Sequence, residues 1–322
     1  MKIIFSKKGF DNTYGKVPSP VFDKEGTKFI SMPIPAVNAC DEIKYSKIEY
    51  HGHNLGDLVE KLKGKKVDGG ELSKCSLCHF DPQLVQNENK EVEKSENWKP
   101  ILGQADAAQG HLFNQKIGKD ALFLFYGRFR RIDENNEEKM FSAIYGWLQV
   151  EECVDLIKDK KGNDLTKDDK AKIGKDNPCI AEHPHFNWQP TTKNNSLYIA
   201  KDFLDIGQTN TKIKGAGLFD KLYILTESKI KGTETNAENR NLDKLEFLSI
   251  SNWILPICLF PDDEGKVTLT CNKKYRWKKN ENDADTCKLS AYGRFQEFVL
   301  NYDNAAQETK VAIETWVKNL FV

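Results

Sequence analysis

Two apolar runs flank a short polar turn: LFLFYGRF at residues 122–129 and FSAIYGWLQV at 141–150, with DENNEE between them. Aromatic-rich segments of this length on either side of a polar turn predict a β-hairpin. Further extended segments occur at KIIF near the start, NSLYIA at 195–200 and KLYILTE at 221–227. Helical spacing is confined to three places. NLGDLVEKLK at 54–63 has Asn54 as its N-cap, and residues 104–115 follow. The end of the chain carries Val311, Ile313, Trp316, Val317 and Leu320 on one amphipathic stripe. Strands and helices do not alternate regularly, which argues against a doubly wound parallel sheet. The expected fold is a mixed α+β architecture. Its core is a strongly bent sheet or small β-barrel, with peripheral helices and long polar insertions. The insertions fall near 86–97, 155–178 and 272–285, and that at 155–178 holds seven lysines and six aspartates. The chain reads as one composite domain over 1–322, with 98–150 as its core segment.

Charge and cysteine usage narrow the function classes. Lysine and arginine total 48 against 48 aspartates and glutamates in 322 residues, giving a formal net charge of zero. A broadly basic nucleic-acid coat is excluded, so any nucleic-acid contact must use a local patch. No apolar window is long enough to span a bilayer, which leaves no membrane partner. The opening MKIIFSKKGF breaks on Ser6, Lys7 and Lys8, too soon for a signal peptide, and a cytoplasmic location follows as the expectation. The eight cysteines, Cys40, Cys75, Cys78, Cys153, Cys179, Cys258, Cys271 and Cys287, are scattered, as small buried hydrophobes or free thiols of a reducing compartment are.

Several short motifs offer chemistry. Cys75-Ser76-Leu77-Cys78-His79 has the spacing of a c-type haem attachment, which requires export. A zinc reading takes Cys75 and Cys78 with His183 and His185, or with Cys271 and Cys287; ordinary cysteines are the simpler reading. His183-Pro184-His185 places both imidazoles on one face if the segment is extended. The richest stretch is 98–150. Gln104, Asp106, Gln109 and His111 put two amides, a carboxylate and an imidazole in one segment, and on a helix Gln104 and His111 share a face. Trp98, Tyr126 and Trp147 add aromatic surface. Amide edges and aromatic faces suit a flat heterocycle, read by hydrogen bonds and by stacking. A helix packed on a hairpin, with its polar groups satisfying one another, is the alternative. Arg128 and Arg130 share one strand face and suit phosphate.

The blocks KIIFSKKGFDNTYGKVPSP, HFDPQL, GQADAAQGHL, LFLFYGRFR, YGWLQV, HPHF, NSLYIA, GAG and RFQEFV run in order along nearly the whole chain. In this the sequence resembles the nucleotide modification associated domain 3 family. The resemblance implies a context of modified bases in phage and bacterial DNA, and carries over no catalytic residues. Residues 98–150 are more weakly similar to EVE and PUA-like modified-base readers, which implies a small barrel with an aromatic pocket. The function expected from these features is a DNA-modification-associated protein with a pocket for a modified base or nucleotide, DNA rather than RNA. In that pocket Trp98, Tyr126 and Trp147 stack, Gln104, Asp106, Gln109 and His111 read edges, and Arg128 and Arg130 hold phosphate. The alternative is an enzyme that makes, alters or removes the modification. Asp106 and His111 are then its acid and base, and Asp11, Asp81, His183 and His185 complete the site.

Overall fold

The fold is given by a computed structural model. It describes residues 1–322 apart from 38–40, 42, 91–96, 133–139, 160, 189, 190, 192, 193, 207–209, 232–240, 262–265, 294, 295 and 322. The DENNEE turn, part of the loop at 86–97 and Cys40 lie outside the described residues.

The apolar runs become the centre of a nine-stranded mixed sheet. Its strands are β1 (Ile3–Lys7), β2 (Ser19–Val21), β3 (Ile101–Ala105), β4 (Leu122–Arg131), β5 (Phe141–Asp155), β6 (Asn195–Ala200), β7 (Ala216–Ile224), β8 (Thr268–Leu269) and β9 (Glu297–Asn301). The order is β8-β9-β1-β4-β5-β6-β3, with β7 added to β5 and β2 to β4. The hairpin expected from the sequence is β4 and β5, paired antiparallel from Leu122↔Gln149 to Phe129↔Phe141, with a bulge at Tyr145. β1 runs parallel to β4 and antiparallel to β9.

Alternation along β4 explains why its run is apolar throughout. Leu122, Leu124 and Tyr126 enter one core cluster with Phe5, Trp253 and Phe298. Phe123, Phe125 and Phe129 enter another on the opposite face, with Tyr145 and Tyr198. A strand buried on both faces loses the polar-out pattern of a half-exposed one.

Few helices accompany the sheet. They are α1 (Leu55–Lys61), α2 (Asp106–Asn114), α3 (Lys167–Asp176), α4 (Pro178–Ala181), α5 (Pro184–Asn187) and α6 (Gln307–Asn319). Asn54 caps α1 by accepting from Gly56 N, as its sequence position suggests. α6 buries Ile313 and Val317, one helical turn apart, on the first core cluster. α3 lies within the charged stretch 155–178 and buries none of its residues. No described helix is long and apolar enough to cross a membrane.

The sequence expectation of a helix over 104–115 needs correction. Gln104 and Ala105 belong to β3, paired with Ser196 and Asn195, and the helix begins at Asp106. Gln104 and His111 therefore share no helical face. Asp106 marks the junction, with φ of 52°, a left-handed value that Asp tolerates better than most residues.

The sheet is strongly bent. β3 is its last strand and β9 lies near the other edge, yet the Gln104 side chain bonds to Glu297 on β9. α2 fills the space between the two ends. Its Gln109 donates to Ser196 Oγ at 2.9 Å, and its His111 meets Thr270 Oγ1, just beyond β8, at 3.1 Å. No hydrogen-bonded closure joins β3 to β8 among the described residues, so the small closed barrel is not found there.

Candidate functional site

The bend brings the ends of β1, β3 and β9 together beside α5, and a cleft of about 520 Å³ opens there. Its floor is a cluster of buried polar side chains. His79 follows Cys78 in a two-residue strand paired with Ile34 and Pro35. Successive side chains of a strand point opposite ways. Cys78 accordingly turns into an apolar cluster with Tyr45, while His79 turns toward the cleft.

His79 Nδ1 lies 2.6 Å from Asp41 Oδ1, and its Nε2 lies 3.1 Å from His185 Nε2. His185 Nδ1 meets Asn195 Oδ1 at 2.9 Å. Asn195 Nδ2 donates to the carbonyls of His185 at 2.7 Å and Trp188 at 3.3 Å, which orients its oxygen toward the ring. Asp81 Oδ1 accepts from Gly103 N at 2.6 Å, and Oδ2 accepts from Lys8 Nζ at 3.3 Å. His183 caps α5, its Nδ1 accepting from His185 N at 3.3 Å. Its Nε2 lies 3.2 Å from Asp81 Oδ1, within ion-pair reach but poorly aligned as a hydrogen bond. His79, His183, His185, Asp41 and Asp81 are all buried.

Charges buried this deeply cost several kcal/mol each unless paired. Burial pushes the Asp81 carboxyl up, and Lys8 and His183 overcome it, holding Asp81 well below the usual carboxylate range. Burial holds His185 well below the ordinary histidine value, against the opposing pull of Asp81. His183 is lowered by burial too, again opposed by Asp81.

Glu297 is the other ionisable group of the floor. It stands opposite Ser6 across the β1–β9 pair. Its Oε1 accepts from Ser6 Oγ at 3.0 Å and from Gln104 Nε2, while the buried Oε2 has no hydrogen-bond partner among the described residues. Burial pushes the carboxyl up to about 7, with Lys8 opposing. A carboxyl that titrates near neutrality beside a cleft is suited to giving and taking a proton.

The walls carry complementary chemistry. Trp188 packs edge-on against His185 and His79, with ring centroids 4.7 and 5.8 Å apart, and lines the cleft with Tyr14. Asp106, Ala107 and Ala108 bring the first turn of α2 to the opposite wall. Lys7 pairs with Asp11 at 2.8 Å on the rim. One ligand atom each from His79, Asp81 and His185 lies within 4.8 Å of the others, close enough to share one cation.

The residues singled out in the sequence divide sharply. Gln104 and Asp106 line the cleft, and Asp106 accepts from Thr191 Oγ1 at 2.9 Å. Asp11, Asp81 and His185 also line it. Gln109 is turned to the sheet, donating to Ser196 and accepting from Tyr198 OH at 2.9 Å, and His111 is turned to Thr270. Asp106 and His111 are thus not brought together. Tyr126 lies in the core against Trp253 and Phe298. Trp147 is buried against Phe219 and Phe321, its Nε1 donating to Lys214 O at 3.0 Å. Neither ring faces the cleft, because each points into the core from a strand covered on both sides. Trp98 is half-buried ahead of β3 and is not among the lining residues. Arg128 donates to Asn12, next to Asp11, and Arg130 stands half-buried opposite Pro20.

The zinc set of Cys75, Cys78, His183 and His185 is not assembled. Cys75 is exposed, and the buried Cys78 thiol donates to Ile43 O at 3.6 Å. Cys287 is likewise buried, its thiol facing Pro256 O at 3.4 Å. His79, read in the sequence as part of the cysteine motif, is the residue that joins His185. Glu297, Lys8, Asp41, Asn195 and Trp188 were not singled out. A glutamate inside the apolar run FQEFVL was a visible signal for the first of them.

No curated protein and no solved structure matches this chain. The blocks HFDPQL, GQADAAQGHL, HPHF and RFQEFV, far apart in sequence, supply His79, Asp81, Gln104, His185 and Glu297 to one cleft. The family model for nucleotide modification associated domain 3 matches residues 2–301 and spans all of them, so the chain belongs to that family, whose role is connected to nucleotide modification.

Proposed function

We propose that this chain is an enzyme of nucleotide modification that binds a nucleotide of DNA in the cleft and acts on its base. The observation that carries this reading is the cluster of buried ionisable groups on the cleft floor: His79, Asp81, His185 and Glu297. A module that merely recognises a base needs edge donors and a stacking face, and gains nothing from burying four such groups. The cleft volume lies within the range of roughly 300–1,000 Å³ usual for small-molecule sites.

In this reading Trp188 supplies the stacking face and Gln104 and Asp106 the edge contacts. Glu297, poised near neutral pH, exchanges a proton with the substrate. Ala105 gives the first turn of α2 no side-chain cap; the Asp106 N–H donates to Asn194 O at 2.9 Å, and the positive end of the helix dipole suits a phosphate. Arg128 and Arg130 serve the flanking backbone beside the rim. A polar rim and a local basic strip fit a neutral chain that meets DNA at one place.

Calorimetric titration with modified and unmodified nucleoside monophosphates and short DNAs tests the reading. Loss of one base–aromatic stack costs about 1–3 kcal/mol, so Trp188→Ala is expected to weaken binding about 5–150-fold. Gln104→Ala is expected to weaken it as well. Failure of the whole panel to bind, or binding that survives both substitutions, overturns the proposal.

A further inference from the structure

We propose that His79, Asp81 and His185 bind one divalent transition-metal ion, through Nε2 of each histidine and a carboxylate oxygen of Asp81. Asp41 stands 2.6 Å from His79 Nδ1, and a carboxylate accepts, so that nitrogen carries the proton. Asn195 turns its oxygen to His185 Nδ1, because its amide nitrogen is taken by the His185 and Trp188 carbonyls. That nitrogen carries a proton too. Both Nε2 atoms then hold lone pairs, and they face each other at 3.1 Å. Two lone pairs at that distance repel unless a cation or a shared proton sits with them.

Three features favour a metal ion. With nitrogen–metal distances of about 2.1 Å, a 3.1 Å separation corresponds to an angle of about 95° at the ion, normal for two ligands of one metal. Asp81 supplies a third donor within 4.8 Å. Its Oδ1 is oriented by Gly103 N–H, and its Oδ2 keeps a lone pair beyond the 3.3 Å contact with Lys8. Finally, Asp41 and Asn195 are what surrounds metal-binding histidines elsewhere: acceptors on the far nitrogen that fix tautomer and ring orientation. Two imidazoles and one carboxylate suit zinc, iron or manganese, and three protein ligands beside an open cleft are the pattern of catalytic sites. An ion there faces the space assigned to the nucleotide. The inference rests on that reading for the ion's use, but not for its binding.

The test uses the full chain, stripped with chelator and titrated with Co(II) alone. One equivalent is expected to bind and give visible absorption bands of a nitrogen–oxygen ligand set. His79→Gln and His185→Gln are expected to weaken binding by about 100-fold or more, and Asn195→Ala by about 10–100-fold. Cys75→Ser, at an exposed position, is expected to change nothing. If a histidine variant does not fold, the wild-type spectrum still decides. A folded wild-type chain that binds no Co(II), Zn(II) or Mn(II) at one equivalent overturns the site, as does undiminished binding by folded His185→Gln. Nucleotide binding is followed on the same samples by tryptophan fluorescence. Nucleotide bound without metal removes the metal site alone, whereas metal bound with no nucleotide removes the nucleotide reading alone.

Discussion

Replacing Gly103 by alanine is expected to dismantle the site and destabilise the fold by about 1–3 kcal/mol, the usual cost of overpacking a core. A Cβ on Gly103 would stand 2.3 Å from His185 Cδ2, 2.4 Å from its Cγ and 2.8 Å from His183 Cε1. Neither imidazole is free to retreat. His185 is held by Asn195 at Nδ1 and packed between the rings of His79 and Trp188, and His183 caps α5. The strand must therefore move away, taking with it the Gly103 N–H that orients Asp81. Gly110, seven residues on in the same block, is the matched control. Among the described residues a Cβ there meets only the end of the Asn194 side chain, at 3.3 Å, which must give by a few tenths of an ångström, and alanine in a helix interior gains about 0.5–1 kcal/mol over glycine. Thermal unfolding and Co(II) titration of the two variants check this. A Gly103→Ala chain with wild-type melting and wild-type metal affinity would refute the packing argument.

Glu297→Gln is expected to stabilise the protein at pH 8 while abolishing turnover. The folded-state carboxyl titrates near 7 instead of its ordinary 4.5, so the folded chain holds the extra proton between those values. Stability conferred by the neutral form is full below about 4.5, falls as pH rises through the window and levels off above about 7. The shift corresponds to about 3 kcal/mol. Glutamine keeps the oxygen that accepts from Ser6 and Gln104 and carries no charge at any of these values. Urea unfolding at pH 4.5 and pH 8 is therefore expected to show similar stabilities at the lower pH and a variant more stable by about 3 kcal/mol at the higher. Equal destabilisation of the variant at both would show that Glu297 is held ionised. A costly carboxyl kept at the position proposed for proton exchange is a familiar exchange of stability for activity.

Much of the architecture was legible because it rests on local pattern. The hairpin followed from two aromatic-rich runs about a polar turn, and α6 from apolar spacing along one face. The site was legible in part. Gln104 and Asp106, which line the cleft, stand out in the sequence because polar residues crowd one short block. Gln109 and His111 were grouped with them, yet on α2 they turn toward the sheet and Thr270. Tyr126 and Trp147, expected as stacking faces, lie in a core cluster. In strands buried on both faces, alternation no longer marks which aromatic meets solvent. His79 was hidden by the cysteines beside it. Asp41, Asn195 and Lys8 carry no sequence signal, because their roles arise when the bent sheet brings distant strand ends together.

Whether the chain alters a base is decided by product mass analysis. Short DNAs and nucleotides carrying modified bases are incubated with the metal-loaded wild-type chain, with Glu297→Gln and with His79→Gln, then digested and weighed as nucleosides. A mass change is expected in at least one nucleoside with the wild type, lost in both variants. Masses unchanged across the panel, or a change that both variants retain, would contradict it.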